Sequence, residues 1–234
     1  MTCRCPLGHR PGALVIVSPH YDDGVFSCGE LIRDHPGTGL VTVFGAAPNE
    51  GLSTDWDRDA GFADARDAVA ARRDEDGAAA ARLSAHVMWL GFSDSQYGPK
   101  PSAAGIASAM SDLISAIAAT TVVFPLGLFH ADHRLAHDAL LRLVPSRDGS
   151  IDWFLYGDAI YRRHEAVVAQ RLRRLRSARF LVEPIQWPSV CSESKRAAVY
   201  CYRSQLVALS RRGRSGFLDV FRVEHYWRLR PEAS

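Results

Sequence analysis

The sequence predicts an α/β protein, a three-layer sandwich in which a mostly parallel sheet is covered by helices on both faces. Three observations predict it. Short, continuously apolar runs rich in β-branched residues recur at Leu14–Val17, Leu40–Phe44 and Thr121–Phe124, as expected of strands buried on both faces of a parallel sheet. Segments with apolar residues at helical spacing separate them, and that alternation marks a doubly wound sheet. The first and fourth strand runs stop at a Pro, and the loops that follow carry His and Asp, at the carboxyl ends of strands where such sheets bind ligands.

Taken in order, LVIV at Leu14–Val17 ends at Ser18-Pro19, because Pro19 cannot donate to a ladder and pushes Ser18 towards extended geometry. A helix then runs through Val25, Phe26, Cys28, Leu31 and Ile32, and stops at the turn His35-Pro36-Gly37-Thr38-Gly39. Leu40–Phe44 is the second strand, followed by a polar loop from Gly45 to Thr54 long enough to form one wall of a pocket. Trp56–Leu83 reads as one strongly helical stretch, Ala-rich with Arg, Asp and Glu interleaved. His86–Phe92 is a third strand, whose exit loop Ser93–Pro101 carries Asp94, Gln96, Tyr97 and Lys100. Ile106, Met110, Leu113, Ile114 and Ile117 place a core-facing helix over Ile106–Ala119. The fourth strand, Thr121–Phe124, leads through a Gly-containing loop to a helix through Leu135, Leu140 and Leu143.

The second half is less regular. Trp153–Tyr156 reads as a strand whose exit brings Tyr156, Asp158 and Tyr161 towards the site. Arg162–Arg179 is a basic helix with a solvated face, Phe180–Val182 a short strand, and Ser192–Leu209 a helix capped by Ser192 or Ser194. The aromatic segment Phe217–Leu229 packs back on the domain. There is no internal repeat or linker, so the expected organisation is a tail over residues 1–12 and a single Rossmann-like domain over 13–234.

Composition narrows the function classes. A chain of 234 residues with 47% hydrophobic content can bury one sizeable core. A net charge of +2 gives no bulk electrostatic reason for a nucleic-acid partner. No apolar run approaches the roughly 20 residues of a spanning helix, and Met1–Gly12 lacks the apolar core of a signal peptide. The expectation is a cytoplasmic protein with no membrane partner; a homo-oligomer is compatible with the sequence. Five cysteines argue against a disulfide framework, with Cys28, Cys191 and Cys201 read as buried free thiols. Cys3, Cys5 and His9 read as part of the tail rather than a zinc site.

Two loops carry chemistry. After the first strand, His20 and Asp23 can turn towards one point as two ligands of a zinc-like ion, leaving Asp22 free for proton transfer. An HxDD turn is equally compatible with both aspartates capping the helix. After the fourth strand, FHADHRLAH supplies His130, Asp132, His133 and His137. His20, Asp23 and His133 would form an open set of three, as hydrolytic sites keep their fourth position for water. His130 is left to support the ligands or stabilise an oxyanion. Asp132 either orients one histidine through its ring N–H or caps the following helix, and His137 reads as a helix-surface residue.

The segments SPHYDDGVFSCG and PLGLFHADHRL resemble the PIG-L (LmbE-like) family of zinc-dependent N-deacetylases, whose hallmarks are a PHxDD turn and a later HxDH loop. The resemblance extends in order to Arg72–Asp76 and WLGFSD (an RRxED helix and an LGxxD strand end), to YGDAIY at Tyr156–Tyr161 (a YEDxPY segment) and to Lys195–Gln205. It implies a metal-dependent hydrolase that removes an N-acyl group, most often N-acetyl, from an amino sugar or sugar-containing small molecule, as in natural-product or thiol and glycan metabolism. The implied cofactor is Zn2+ or another divalent ion. The implied roles are metal ligation by His20, Asp23 and His133, general base catalysis by Asp22, stabilisation of the tetrahedral intermediate by His130, and substrate binding by Arg72. Asp94, Phe129 and Tyr156 join Arg72 as expected substrate-binding residues, with Asp132 behind the ligands. Gly24, Phe129 and Gly157 depart from the family pattern, and the latter two are expected to reshape the pocket. The competing readings are a catalytically silent binding or regulatory module of the same fold, which the intact His20, Asp22, Asp23 and His133 oppose, and a metal hydrolase acting on another bond. No Gly-rich phosphate cradle supports the latter.

Overall fold

The computed structural model describes residues 13–49, 51–145, 149–185 and 191–232. The expected tail, with Cys3, Cys5 and His9, lies outside them. Seven strands form one sheet in the order β3-β2-β1-β4-β5-β7-β6: β1 (Ala13–Ser18), β2 (Gly39–Thr42), β3 (His86–Trp89), β4 (Ala119–Pro125), β5 (Asp152–Tyr156), β6 (Phe180–Ile185) and β7 (Tyr226–Pro231). The first five pair in parallel, whereas β7 is antiparallel to both β5 and β6. The sheet is therefore mostly parallel, as expected.

The apolar run of β1 explains its central place. Val15 and Val17 are buried in one core with α4 (Ala103–Ala116) and α5 (Ala131–Leu141), while Leu14 and Ile16 are buried in the other with α1 (Asp23–Asp34) and α3 (Ala65–Arg82). Alternate side chains of a strand face opposite sides, so a strand covered on both faces has to be apolar throughout. Fully burying each such side chain contributes about 1.5–3 kcal/mol. Strand order reverses between β1 and β4, because β2 lies on one side of β1 and β4 on the other. The loops leaving these two strands consequently diverge around a crevice, the place where open α/β sheets bind ligands.

Several elements differ from expectation. The helical stretch Trp56–Leu83 is two helices, α2 (Asp55–Ala60) and α3, broken at Gly61, whose φ of 96° is a left-handed cap. Ser192–Leu209 likewise divides into α7 (Glu193–Val199) and α8 (Arg203–Leu209), with Ser192 rather than Ser194 as the cap of the first. The basic helix is α6 (Glu165–Ser177). Phe217–Leu229 packs back as expected, but it does so as a short 3-10 helix (Leu218–Phe221) and as part of β7, inserted between β5 and β6. His137 is fully buried against the Pro125 carbonyl rather than on a surface, and Cys191 and Cys201 are half-buried. No helix of the described residues is long and apolar enough to cross a membrane.

Candidate active site

The loop leaving β1 carries His20 and Asp22 to the crevice with Asp23 opening α1, and the loop leaving β4 brings His130 to the same place with His133 in the first turn of α5. Asp22 occupies the N-cap position of α1 yet makes no side-chain cap hydrogen bond. The Ser18 hydroxyl takes over part of that work, accepting the Gly24 N–H at 2.7 Å. Capping therefore does not account for Asp22, and its carboxylate faces the cavity.

Asp23 Oδ2 is the point of convergence. It lies 3.1 Å from His20 Nδ1 and 3.1 Å from His133 Nε2, and accepts the His20 backbone N–H at 2.9 Å. The far nitrogen of each ring is held by a further carboxylate. His20 Nε2 lies 3.3 Å from Asp132 Oδ2, and His133 Nδ1 lies 2.6 Å from Asp158 Oδ1. Ligating histidines commonly give their second ring N–H to a carboxylate in this way. Asp132 also accepts the Ser95 N–H at 3.1 Å and is not a helix cap; that role falls to His130, whose Nδ1 accepts the Asp132 N–H at 3.3 Å.

The electrostatics follow from this crowding. Burial, then the charge of Asp23, push Asp22 up to about 7. Burial works against ionisation of Asp23 too, but His133 and His20 hold it far below the usual carboxylate range. Burial would depress both histidines, yet Asp94, Asp132 and Asp23 raise His20 well above its ordinary value, and Asp23 and Asp158 raise His133 to about 9. Burial and its two histidine neighbours lower His130 to about 4.

This donor set fits a divalent cation. Nitrogen and oxygen ligands at about 2.0–2.1 Å from one tetrahedral ion lie roughly 3.3 Å from each other, close to the 3.1 Å at which His20 Nδ1 and His133 Nε2 each lie from Asp23 Oδ2. The field around His20 and His133 favours positive charge. Among the described residues, two groupings bring three possible ligand atoms all within 4.8 Å of one another, one of His20, His130 and His133 and one of His20, Asp94 and Asp132; Asp23 belongs to neither.

The cavity beside these residues has a volume of about 440 Å³, and Arg72 and Asp94 line it. The Arg72 guanidinium is already engaged, donating to the Tyr97 hydroxyl at 2.6 Å and to Asp57 Oδ1 at 2.8 Å. Asp94 approaches His20 Nε2 at 3.7 Å and accepts two hydrogen bonds from Gln96. The other two expected substrate contacts are placed elsewhere. Tyr156 is fully buried and donates to the Val17 carbonyl at 2.9 Å, so it braces β1 from below the cavity rather than lining it. Phe129 is at φ 60°, in a turn closed by His130 N–H to the Leu128 carbonyl, which throws its ring outward to 60% exposure. There it stacks on Tyr161, which does line the cavity.

The sequence places Asp158 near the site but does not reveal its partnership with His133, which only the fold brings about. Its place two residues after the strand end was the available signal.

Fold and site together define an α/β protein with a histidine–aspartate donor cluster at the carboxyl ends of its strands. The chain belongs to the PIG-L family: the family described as GlcNAc-PI de-N-acetylase matches residues 15–144. Among solved structures it is similar to the zinc-inhibited form of teicoplanin deacetylase Orf2, with 21% identity, a TM-score of 0.78, and coverage of 95% of this chain and 99% of that one. It is similar to the A40926 pseudoaglycone deacetylase Dbv21 at 22% identity and a TM-score of 0.75, covering 97% and 100% of the two chains. The N,N'-diacetylchitobiose deacetylase from Pyrococcus horikoshii is more distant, at 16% identity and a TM-score of 0.58 over 94% and 84%. These likenesses establish the fold. No curated protein sequence matches the chain.

Proposed function

We propose that the chain is a zinc-dependent hydrolase that removes an N-acyl group, above all N-acetyl, from an amino sugar or a sugar-containing small molecule. The observation that carries this is the convergence of His20 and His133 on Asp23 Oδ2, with the uncapped Asp22 carboxylate beside them on the cavity. Family membership and the deacetylase activities named for three structural neighbours support it.

In this reading His20, Asp23 and His133 would hold the ion, which would supply a Lewis acid for the amide carbonyl and lower the pKa of water. Asp22 takes the proton of the attacking water, and as the C–N bond breaks the leaving amine is protonated by Asp22 returning that proton or by His130. With Nδ1 of His130 accepting the Asp132 N–H, the neutral ring carries its proton on Nε2. It is then a hydrogen-bond donor to the developing oxyanion rather than a ligand, a contribution typically of 10²–10³ in turnover. Asp132 and Asp158 hold His20 and His133 in orientation. Asp94 lies on the substrate side of His20, and Arg72 acts through Tyr97, whose hydroxyl it fixes at the cavity wall. The test is release of primary amine and acetate from N-acetylated amino sugars by the zinc-loaded protein. A fully loaded protein that releases neither from any of them ends the proposal.

A further inference from the structure

The loop that delivers His130 also lines a second cavity, of about 230 Å³, which shares no lining residue with the first. Helix α6 lines it too. Val167, Gln170, Arg171 and Arg174 all contribute, and their spacing of three, four and seven residues puts them on one face of that helix. Arg134 of α5 adds a third guanidinium, and no acidic residue is among the lining side chains. The volume is below the roughly 300–1,000 Å³ of sites for drug-sized ligands, so the cavity suits a smaller molecule.

The three guanidiniums are not equivalent. Arg171 is braced, with Nε donating to the Leu126 carbonyl at 3.0 Å and Nη2 to Asp138 Oδ1 at 2.9 Å. Arg134 and Arg174 are exposed and make no hydrogen bond or ion pair among the described residues. Three positive charges less the Asp138 carboxylate leave two at the cavity. That balance matches a phosphate monoester, which carries about −1.5 to −2 at pH 7, whereas a carboxylate would neutralise half of it. Guanidinium forks also fit phosphate oxygens two at a time.

Phe129 adds the apolar contact. Its φ of 60° is an outlier for a bulky residue. The ring is held by stacking on Tyr161, with centroids 5.9 Å apart and planes within 4°, and by His164 at 5.6 Å, yet it stays exposed. Residues held in such conformations cluster at ligand clamps, and this one lines the cavity with Leu128 and Val167.

We propose that this cavity is a binding site for the phosphate monoester of a small ring-bearing molecule, its phosphate held by Arg134, Arg171 and Arg174 and its ring packed on Phe129. The site does not depend on the hydrolase reading above. The solvated face that the sequence predicts for this helix belongs to its other arginines, such as the exposed Arg173 and Arg176, which do not line the cavity.

The test is calorimetric titration of phenyl phosphate, inorganic phosphate and benzoate into the protein with and without zinc, at pH 7.5. Phenyl phosphate should bind saturably in both forms, roughly tenfold more tightly than inorganic phosphate because of its ring, and more tightly than benzoate because of its second charge. Arg134→Gln and Arg174→Gln should each weaken it roughly tenfold at an unchanged melting temperature, since neither side chain holds another group. Phe129→Gly, which adopts the positive φ without strain, should abolish the preference for phenyl over inorganic phosphate while leaving inorganic phosphate bound. Wild-type affinity in both arginine variants, or binding only when zinc is present, means that the ion captures the anion and overturns the site. Equal affinity of the wild type for phenyl and inorganic phosphate overturns it as well. So does binding of a polyanion such as heparin without any of phenyl phosphate, the behaviour of a solvated basic surface.

Discussion

Asp158 Oδ1 lies 2.6 Å from His133 Nδ1, while Asp158 Oδ2 accepts the backbone N–H groups of Gly127 and Leu128 at 3.0 and 3.3 Å. One buried carboxylate thus fixes the ring and the loop that delivers it. Asn in its place can accept on one side only and presents an NH2 group to the other, so Asp158→Asn leaves either the imidazole or the loop mismatched. Loss of such a partner typically weakens metal affinity 10–100-fold. Competition with a chromophoric chelator measures this, and wild-type zinc affinity in the variant would mean that Asp158 does not orient the ligand.

Asp22→Asn separates catalysis from binding and folding. Because Asp22 makes no cap hydrogen bond and burial pushes its carboxyl up to about 7, the neutral amide should leave the protein at least as stable as the wild type at neutral pH. Zinc content should stay at the wild-type level if, as proposed, the ligands are His20, Asp23 and His133. Turnover should fall by about 10²–10⁴, the usual worth of a positioned general base. Equal turnover in the two proteins removes Asp22 from that role.

The parts of this fold that were legible in the sequence are those whose burial is unconditional. Strands β1, β4 and β5 are apolar on both faces, so no sidedness had to be guessed, and the loops they deliver carried their His and Asp residues in readable patterns. What was not legible depends on which neighbour a side chain meets. Tyr156 ends a strand beside the site, and whether its hydroxyl points into the cavity or down to Val17 is decided by the pairing of β5 with β4. Phe129 faces outward because of a turn at positive φ that its residue type does not announce. The strand in the closing segment takes its place from two antiparallel partners, β5 and β6, far apart in the chain.

Tyr156→Phe tests that relocation. Removing the phenol oxygen deletes a buried hydrogen bond to the Val17 carbonyl, which contributes about 1 kcal/mol. For a domain of this size that lowers the melting temperature by roughly 2–4 °C. KM should be unaltered, since the hydroxyl points away from the cavity. A raised KM with unchanged thermal stability would return Tyr156 to the substrate.

The stability of the protein should also carry a pH signature from Asp76. This carboxylate is fully buried, 2.8 Å from both Trp89 Nε1 and the Tyr202 hydroxyl. Burial raises it to about 6 despite those two donors. The native state therefore holds this proton more tightly than the unfolded chain, where an Asp titrates near 3.9. Where the native state binds more protons, stability falls with pH. The contribution of Asp76 is thus fully present below about pH 4 and is lost as pH rises through about 6, a change on the order of 3 kcal/mol. Asp76→Asn removes the titrating group while keeping one acceptor and one donor for Trp89 and Tyr202. Urea unfolding at pH 4.5 and pH 7 should therefore show the variant gaining on the wild type at the higher pH. A difference between the two proteins that stays constant across this range would falsify the assignment of that titration to Asp76.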